Sequence, residues 1–326
     1  MGEVLNIKMD VSGKLEMINK RIEEVLQTDN QELTDMSLYT LRSGGKRLRP
    51  LIVMLVYELN EDEDIERVLD LAVAYEIMHS ASLIHDDIID EADERRGSPS
   101  LHIKYNIPDA IVTGDFLFSV AYRLGATYGK EVSSIVATAA RKLAEGQIME
   151  SRNLKNLKIS EETYFNIISN KTAYFFGAGA KSAAVVARAS KEMQENMFKF
   201  AYNVGMAFQI TDDVLDIVGK EENLGKKPFT DFKHSALTLP MIQALKSPDG
   251  ENVKNLIHVI KGERTDFESI TQAKQFLVNS GAVDYSIGIA KNYIEEAIRA
   301  MKSANKTPDL ETLLQIAYSV VSRIRI

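Results

Sequence analysis

Apolar residues recur along this chain at intervals of three and four rather than two, which predicts helices and not strands. Val68, Leu71, Ala72, Tyr75, Met78 and Ser82 trace one helical stripe. Ile135, Thr138, Ala139, Lys142, Leu143 and Gly146 trace a second, whose small residues permit close packing. The prolines, at Pro50, Pro99, Pro108, Pro228, Pro240, Pro248 and Pro308, act as punctuation, and none falls between Pro108 and Pro228. So long a gap does not suit a run of strands and turns. Strand alternation flanked by Asn-Gly or Asp-Gly is missing, and Asp249-Gly250 reads as a loop between helices. The segments Arg95–Pro108 and Lys220–Pro240 read as the two conspicuous loops. With no repeat and no low-complexity linker, the pattern predicts one all-α domain over 1–326, of about ten or more helices. Residues 1–14 read as a loosely ordered leading segment.

Composition narrows the chemistry. The 326 residues are 45% hydrophobic, enough for a substantial core. There is no cysteine, which excludes disulfides, a thiol nucleophile and thiolate-bound metal. Lys and Arg number 39 against 47 Asp and Glu, a net charge of −8, which argues against bulk nucleic-acid binding. The longest apolar run, Leu51 to Tyr57, is far short of a membrane span, so no transmembrane segment is expected. The first twenty residues lack the basic and apolar regions of a signal peptide, and a cytoplasmic protein is expected.

One pentapeptide pattern, DDxxD, occurs twice: Asp86-Asp87-Ile88-Ile89-Asp90 and Asp212-Asp213-Val214-Leu215-Asp216. On a helix, positions four apart share a face, so Asp86 and Asp90 project together, as do Asp212 and Asp216. Like charges so placed repel unless a cation joins them. Carboxylate oxygens without Cys or His suit Mg²⁺ or Mn²⁺. The bland alternative is a solvated acidic helix end, or acids that complement a helix N-terminus. Basic groups stand close by in sequence: Gly44-Gly45-Lys46-Arg47-Leu48-Arg49-Pro50, Arg95-Arg96 and Lys226-Lys227. Each alone reads equally well as ordinary surface charge. Together with two metal-type motifs they point to a diphosphate bridged by Mg²⁺. No nucleotide-binding P-loop, dinucleotide fingerprint or kinase signature is present.

These residues resemble the trans-isoprenyl diphosphate synthases, or polyprenyl synthetases, from about Leu15 to the C-terminal LLQIAYSVVSR. The matching elements are GGKRLRP (44–50), HSASLIHDDIIDEADERRG (79–97), GDFLF (114–118), KTA (171–173), FQITDDVLD (208–216), LGK (224–226) and TLP (238–240). The resemblance implies the all-α isoprenoid synthase fold around a central active-site cavity, and a homodimer. It implies head-to-tail condensation of isopentenyl diphosphate with an allylic diphosphate, using up to three Mg²⁺. Asp86, Asp87 and Asp90, and Asp212, Asp213 and Asp216, would hold the metal on the allylic diphosphate. Arg95 and Lys226 would contact that diphosphate. Lys46, Arg49, His79 and Arg96 would hold isopentenyl diphosphate, while Lys171, Thr172 and Gln209 would line the site of the carbocation. His85 is left as a packing or hydrogen-bonding residue.

The helix leading into Asp86 is expected to wall the allylic pocket, one turn of about 5.4 Å being close to one isoprene unit. Bulky aromatics at the places of Ala81 and Ser82 would close it near fifteen carbons in this family. Both are small here, so Met78 and then Tyr75 are the candidate floors. A product of C20 or longer is expected, geranylgeranyl diphosphate first and hexaprenyl or longer second; plain core packing is the competing account. After the second motif the family pattern weakens: Phe229 and Ser235 replace glycines, and Ala236 replaces a lysine. That keeps open a non-catalytic or regulatory subunit of a heteromeric prenyltransferase. A terpene cyclase or head-to-head synthase is disfavoured by the second complete motif and by GGKRLRP.

Overall fold

Several helices start where the sequence supplies a side-chain cap or a proline. The computed structural model describes residues 10–60, 64–219 and 236–324. In it α1 (Asp10–Val25), α2 (Gln31–Arg42), α3 (Leu48–Asn60) and α4 (Glu66–Ile89) lead to a hairpin of β1 (Glu94–Arg95) and β2 (Ser98–Pro99). Next come α5 (Leu101–Lys104), α6 (Ile107–Ala126), α7 (Gly129–Arg152), α8 (Glu161–Ile168), a π-helical turn (Ser169–Ala173), α9 (Tyr174–Val186) and α10 (Lys191–Val218). The chain ends in α11 (Leu239–Ala244), α12 (Gly250–Ile260), α13 (Phe267–Asn279), α14 (Ala282–Ala300) and α15 (Pro308–Ser322). Asn30, Asn106, Ser160, Asp249 and Asp266 each accept an N–H of the first turn of the helix they precede. Pro108, Pro240 and Pro308 sit at the first or second helical position, where the missing N–H costs nothing. The all-α expectation holds. Asp249-Gly250, expected in a loop, instead forms the capped start of α12.

The chain divides into two compact units. The first takes the described residues of Met1–Ala140, Phe176–Lys199 and Ser303–Gln315; the second takes those of Arg141–Phe175, Phe200–Lys302 and Ile316–Ile326. No change of composition marks these boundaries, so the sequence pattern alone reads as one domain. Within the first unit, α4 packs on α6, α3 and α1. Its predicted stripe is buried throughout, but so are Val73, Ala74, Ile77 and Ala81. The helix is therefore enclosed on nearly every side rather than along one face. In α7 the buried line is Val132, Val136, Ala139, Gly146 and Gln147, with Ile135, Thr138, Lys142 and Leu143 half-buried beside it. The β-branched valines, not Ile135, set that face. In the second unit α11, α13 and α14 pack together, and α12 lies on α13.

Two expected features change. Arg95–Pro108 is not a loop but the β1–β2 hairpin, α5 and the start of α6. Its turn puts Arg96 (φ 53°) and Gly97 (φ 75°) in the left-handed region, as a two-residue hairpin turn requires. Helix α1 already begins at Asp10, inside the leading segment 1–14. Among the described residues no helix is long and apolar enough to cross a membrane.

Candidate active site

The first acidic motif closes helix α4. Asp86 and Asp87 lie in its last turn, and the Asp90 N–H continues the helix by bonding the Asp86 carbonyl at 2.8 Å. Three acids at the negative end of a helix dipole oppose stability, so dipole complementation does not account for them. A bound cation would. Asp87 is buried and accepts Arg95 Nε at 2.6 Å, with a second guanidinium nitrogen on the same oxygen. Burial pushes its carboxyl above the usual range, and Arg95 pulls the other way.

Two turns earlier on α4 stands His79. Burial, followed by the charges of Arg49, Arg96, Arg95 and Arg47, holds its imidazole well below the ordinary value. These are the arginines of GGKRLRP and of the hairpin, so the structure brings two separate basic segments to one histidine. Arg49 also stacks on Phe176, 4.5 Å from the ring centroid, and Arg96 donates to the Gly44 carbonyl. A Cβ on Gly45 would come 2.9 Å from the Arg96 guanidinium, so the glycine permits that approach. Lys46 is exposed beside them. Arg47 points inward: it donates to Glu76 at 2.6 Å, Asn19 at 3.1 Å and the Leu41 carbonyl at 2.5 Å. Its charge is spent on the fold, which corrects the view of the whole loop as a phosphate clamp.

The pocket-wall candidates Tyr75, Met78, Ala81 and Ser82 are all buried on the same helix. Tyr75 shares a 3.0 Å hydrogen bond with Ser182. His85 packs against Phe118 at 5.9 Å and meets the Ile111 carbonyl at 3.3 Å, in keeping with a packing role. A Cβ on Gly114 would strike its ring, which explains the glycine of GDFLF.

The second motif lies in the body of α10, in the other unit. Asp213 Oδ2 accepts the Tyr164 hydroxyl at 2.5 Å and Oδ1 accepts Gln209 Nε2 at 2.9 Å. Gln209 Oε1 in turn accepts the Thr172 hydroxyl at 2.9 Å. Asp213 and Asp216 are buried, whereas Asp212 is partly exposed and pairs with Arg323 at 2.9 Å. Lys171 and Thr172 sit in the π-helical turn, a form frequent at functional sites. Lys171 pairs with Glu150 of α7. A Cβ on Gly146 would stand 2.5 Å from the Lys171 nitrogen, so α7 reaches the turn only because that residue is glycine. Sequence reading missed Tyr164, Glu150, Glu76 and Arg323, partners that no motif spacing signals.

The donor set fits a hard divalent cation: each motif offers carboxylate oxygens and no sulfur or imidazole. Among the described residues no three acidic or histidine side chains form a ready-made cage. Mg²⁺ takes one or two carboxylates and completes its shell with water and substrate phosphate. Lys226, Phe229 and Ser235 lie outside the described residues.

A family model described as "Polyprenyl synthetase" matches residues 30–277. The chain belongs to the polyprenyl synthetase family. It is a prenyltransferase of the trans-isoprenyl diphosphate synthase class. It is 33% identical to a geranylgeranyl diphosphate synthase of Methanosarcina mazei over 321 residues, 96% of this chain and 97% of that one. It is 32% identical to heptaprenyl diphosphate synthase component 2 of Geobacillus stearothermophilus over 292 residues, covering 89% and 90%. Among solved structures, a polyprenyl synthase from Caulobacter crescentus CB15, complexed with calcium and isoprenyl diphosphate, superposes with a TM-score of 0.91. That pair shares 30% identity over 96% of this chain and 95% of the other. The all-α isoprenoid synthase fold of this polyprenyl synthetase is thereby established.

Proposed function

We propose that this polyprenyl synthetase condenses isopentenyl diphosphate head-to-tail with an allylic diphosphate, giving an all-trans product of C20 or longer. Geranylgeranyl diphosphate is the first choice and a hexaprenyl or longer product the second. The observation that carries the reading is the loading of α4. It bears a histidine among arginines and, seven residues later, a carboxylate cluster, about 10 Å apart along the axis. One helix thus offers an anion site and a cation site to two diphosphate-bearing substrates.

Mg²⁺ held by Asp86 and Asp90, and by Asp212 and Asp216, would supply the charge that stabilises the departing diphosphate. Asp87 and Asp213 belong to the same metal sites and hold their neighbours in place. Arg95 and Lys226 add positive charge to the allylic diphosphate. Lys46, Arg49, Arg96 and the neutral His79 N–H fix isopentenyl diphosphate, so its double bond waits close to the allylic carbon. Lys171 lines the site of the developing cation, where the Thr172 hydroxyl, the Gln209 carbonyl and nearby backbone carbonyls offer dipoles without a nucleophile that would trap it. The allylic C–O bond breaks, the new C–C bond forms, and the released diphosphate takes the proton.

A homodimer is supported by α6, which leaves Ile107, Ile111, Val112 and Tyr122 exposed at 51%, 43%, 59% and 41%, an apolar face that a second copy would cover. We assign the work to the cytoplasm and to a single domain over 1–326. A second reading follows from the relative named "component 2": this chain acts as one component of a heteromeric synthase. Ala236, in place of a family lysine, favours it modestly. Incubating the purified chain with Mg²⁺, isopentenyl diphosphate and farnesyl diphosphate separates the readings. Elongated diphosphates by mass support the proposal, silence supports the component, and hydrocarbons would defeat both.

A further inference from the structure

Tyr164 belongs to none of the roles above, yet its hydroxyl reaches the second motif directly. Its hydroxyl donates to Asp213 Oδ2 at 2.5 Å, and both side chains are buried, at 4% and 6% exposure. A buried carboxylate requires such donors. The other oxygen, Oδ1, takes Gln209 Nε2, which fixes the amide so that its carbonyl faces Thr172. A chain of three hydrogen bonds therefore runs from Tyr164 through Asp213 and Gln209 to Thr172. It joins the metal-type motif of α10 to the π-helical turn.

Helix α8 does not need this hydroxyl to stay in place. Glu161 at its start is held by Lys246 and by the Tyr285 hydroxyl at 2.8 Å, and Phe165 packs edge-on to Tyr293 of α14 at 6.3 Å. The phenol oxygen is thus an addition to an anchored helix, aimed at one carboxylate.

We propose that Tyr164 is a positioning residue for the second acidic motif. By holding Asp213 it fixes the rotamers of Asp213 and Gln209. Those in turn set the aim of Asp212 and Asp216 toward a metal–diphosphate and of Thr172 toward the cation. The inference rests on the prenyltransferase reading of this site.

Tyr164→Phe removes the hydroxyl and keeps the ring. Calorimetric titration of the intact wild type and variant with Mg²⁺ and inorganic diphosphate tests the role without turnover. The expected result is about tenfold weaker binding in the variant, the size of one lost hydrogen bond to a charged group. Isopentenyl diphosphate, titrated without metal, is expected to bind within about twofold of wild type because its anchors lie elsewhere, while the thermal midpoint falls by only a few degrees, about the effect of one lost buried hydrogen bond. In turnover kcat falls while KM for isopentenyl diphosphate holds. Equal Mg²⁺–diphosphate affinity in the two chains overturns the role of Tyr164 alone. A parallel loss for isopentenyl diphosphate with a midpoint lowered by more than a few degrees overturns it too, because the hydroxyl would then be merely structural. A wild type that binds no Mg²⁺–diphosphate overturns the functional reading and this inference with it.

Discussion

Arg47 and Glu76 form a buried ion pair, Nη1 to Oε1 at 2.6 Å, with side-chain exposures of 9% and 4%. Arg47 reaches it from a left-handed backbone (φ 48°), an uncommon conformation for a residue that carries a Cβ. The pair lies beneath the anion site, one turn of α4 before His79. Removing one partner leaves the other charge buried and uncompensated, so Glu76→Ala is expected to cost about 3–5 kcal/mol of stability. Urea unfolding of the variant measures it. A loss below about 1 kcal/mol, the range of an exposed pair, would show that the site is wetter than its burial implies.

Gly146 lets α7 approach the π-helical turn, and its replacement tests whether that approach matters to the chemistry. In Gly146→Ala the new methyl meets the Lys171 backbone at 2.5 Å, too close for any rotamer change to relieve. Overpacking of this kind costs about 1–3 kcal/mol, and the shift displaces Lys171 and Thr172. The expected outcome is a drop in kcat of tenfold or more with the chain still folded, read by steady-state assay beside circular dichroism. Full activity would remove the turn from the cation site.

The sequence made some of this site legible and concealed the rest for physical reasons. The two aspartate motifs are legible because their pattern depends on residue type at short spacing, whereas His79, Thr172 and Gln209 stand out only through the family resemblance. Thr172 and Gln209, 37 residues apart in the chain, meet at 2.9 Å. Tyr164 is invisible in that way, since it meets Asp213 across 49 residues and a tyrosine in a helix signals only burial. Arg323 and Glu150 are concealed for the same reason. The β1–β2 hairpin escaped because two-residue strands cannot alternate, and because Arg96-Gly97 takes the place of the usual Asn-Gly. Arg47 was grouped with the phosphate-binding arginines by adjacency, but its backbone turns it the other way.

His79 gives the stability of the chain a pH signature. Its folded pKa lies well below the ordinary value, because burial and then Arg49, Arg96, Arg95 and Arg47 disfavour the imidazolium. The unfolded chain, with an ordinary histidine near 6.5, binds more protons than the folded chain as pH falls below about 6.5. The stabilisation from a neutral His79 is therefore present above that pH and is lost progressively toward the depressed folded pKa. His79→Gln removes this dependence. The stability difference between wild type and variant is expected to shift against the wild type from pH 7 to pH 5, measured by urea melts across that range. A constant difference would mean that His79 titrates normally in the folded chain.

Chain length is the last property the wall of α4 should control. Ala81 is fully buried about one turn deeper than Asp86, and Met78 lies the next turn down. Tyr75, a turn deeper still, is fully buried and shares a 3.0 Å hydrogen bond with Ser182. A flexible methionine above a pinned tyrosine predicts an upper floor that yields and a lower one that does not. Ala81→Phe is accordingly expected to shorten the product to about fifteen carbons, since one turn of 5.4 Å spans close to one isoprene unit. Met78→Ala is expected to lengthen it by about one unit, stopping at Tyr75. Mass analysis of products from wild type and both variants decides the matter. If neither substitution moves the distribution, these residues are core packing and the floor lies on another helix.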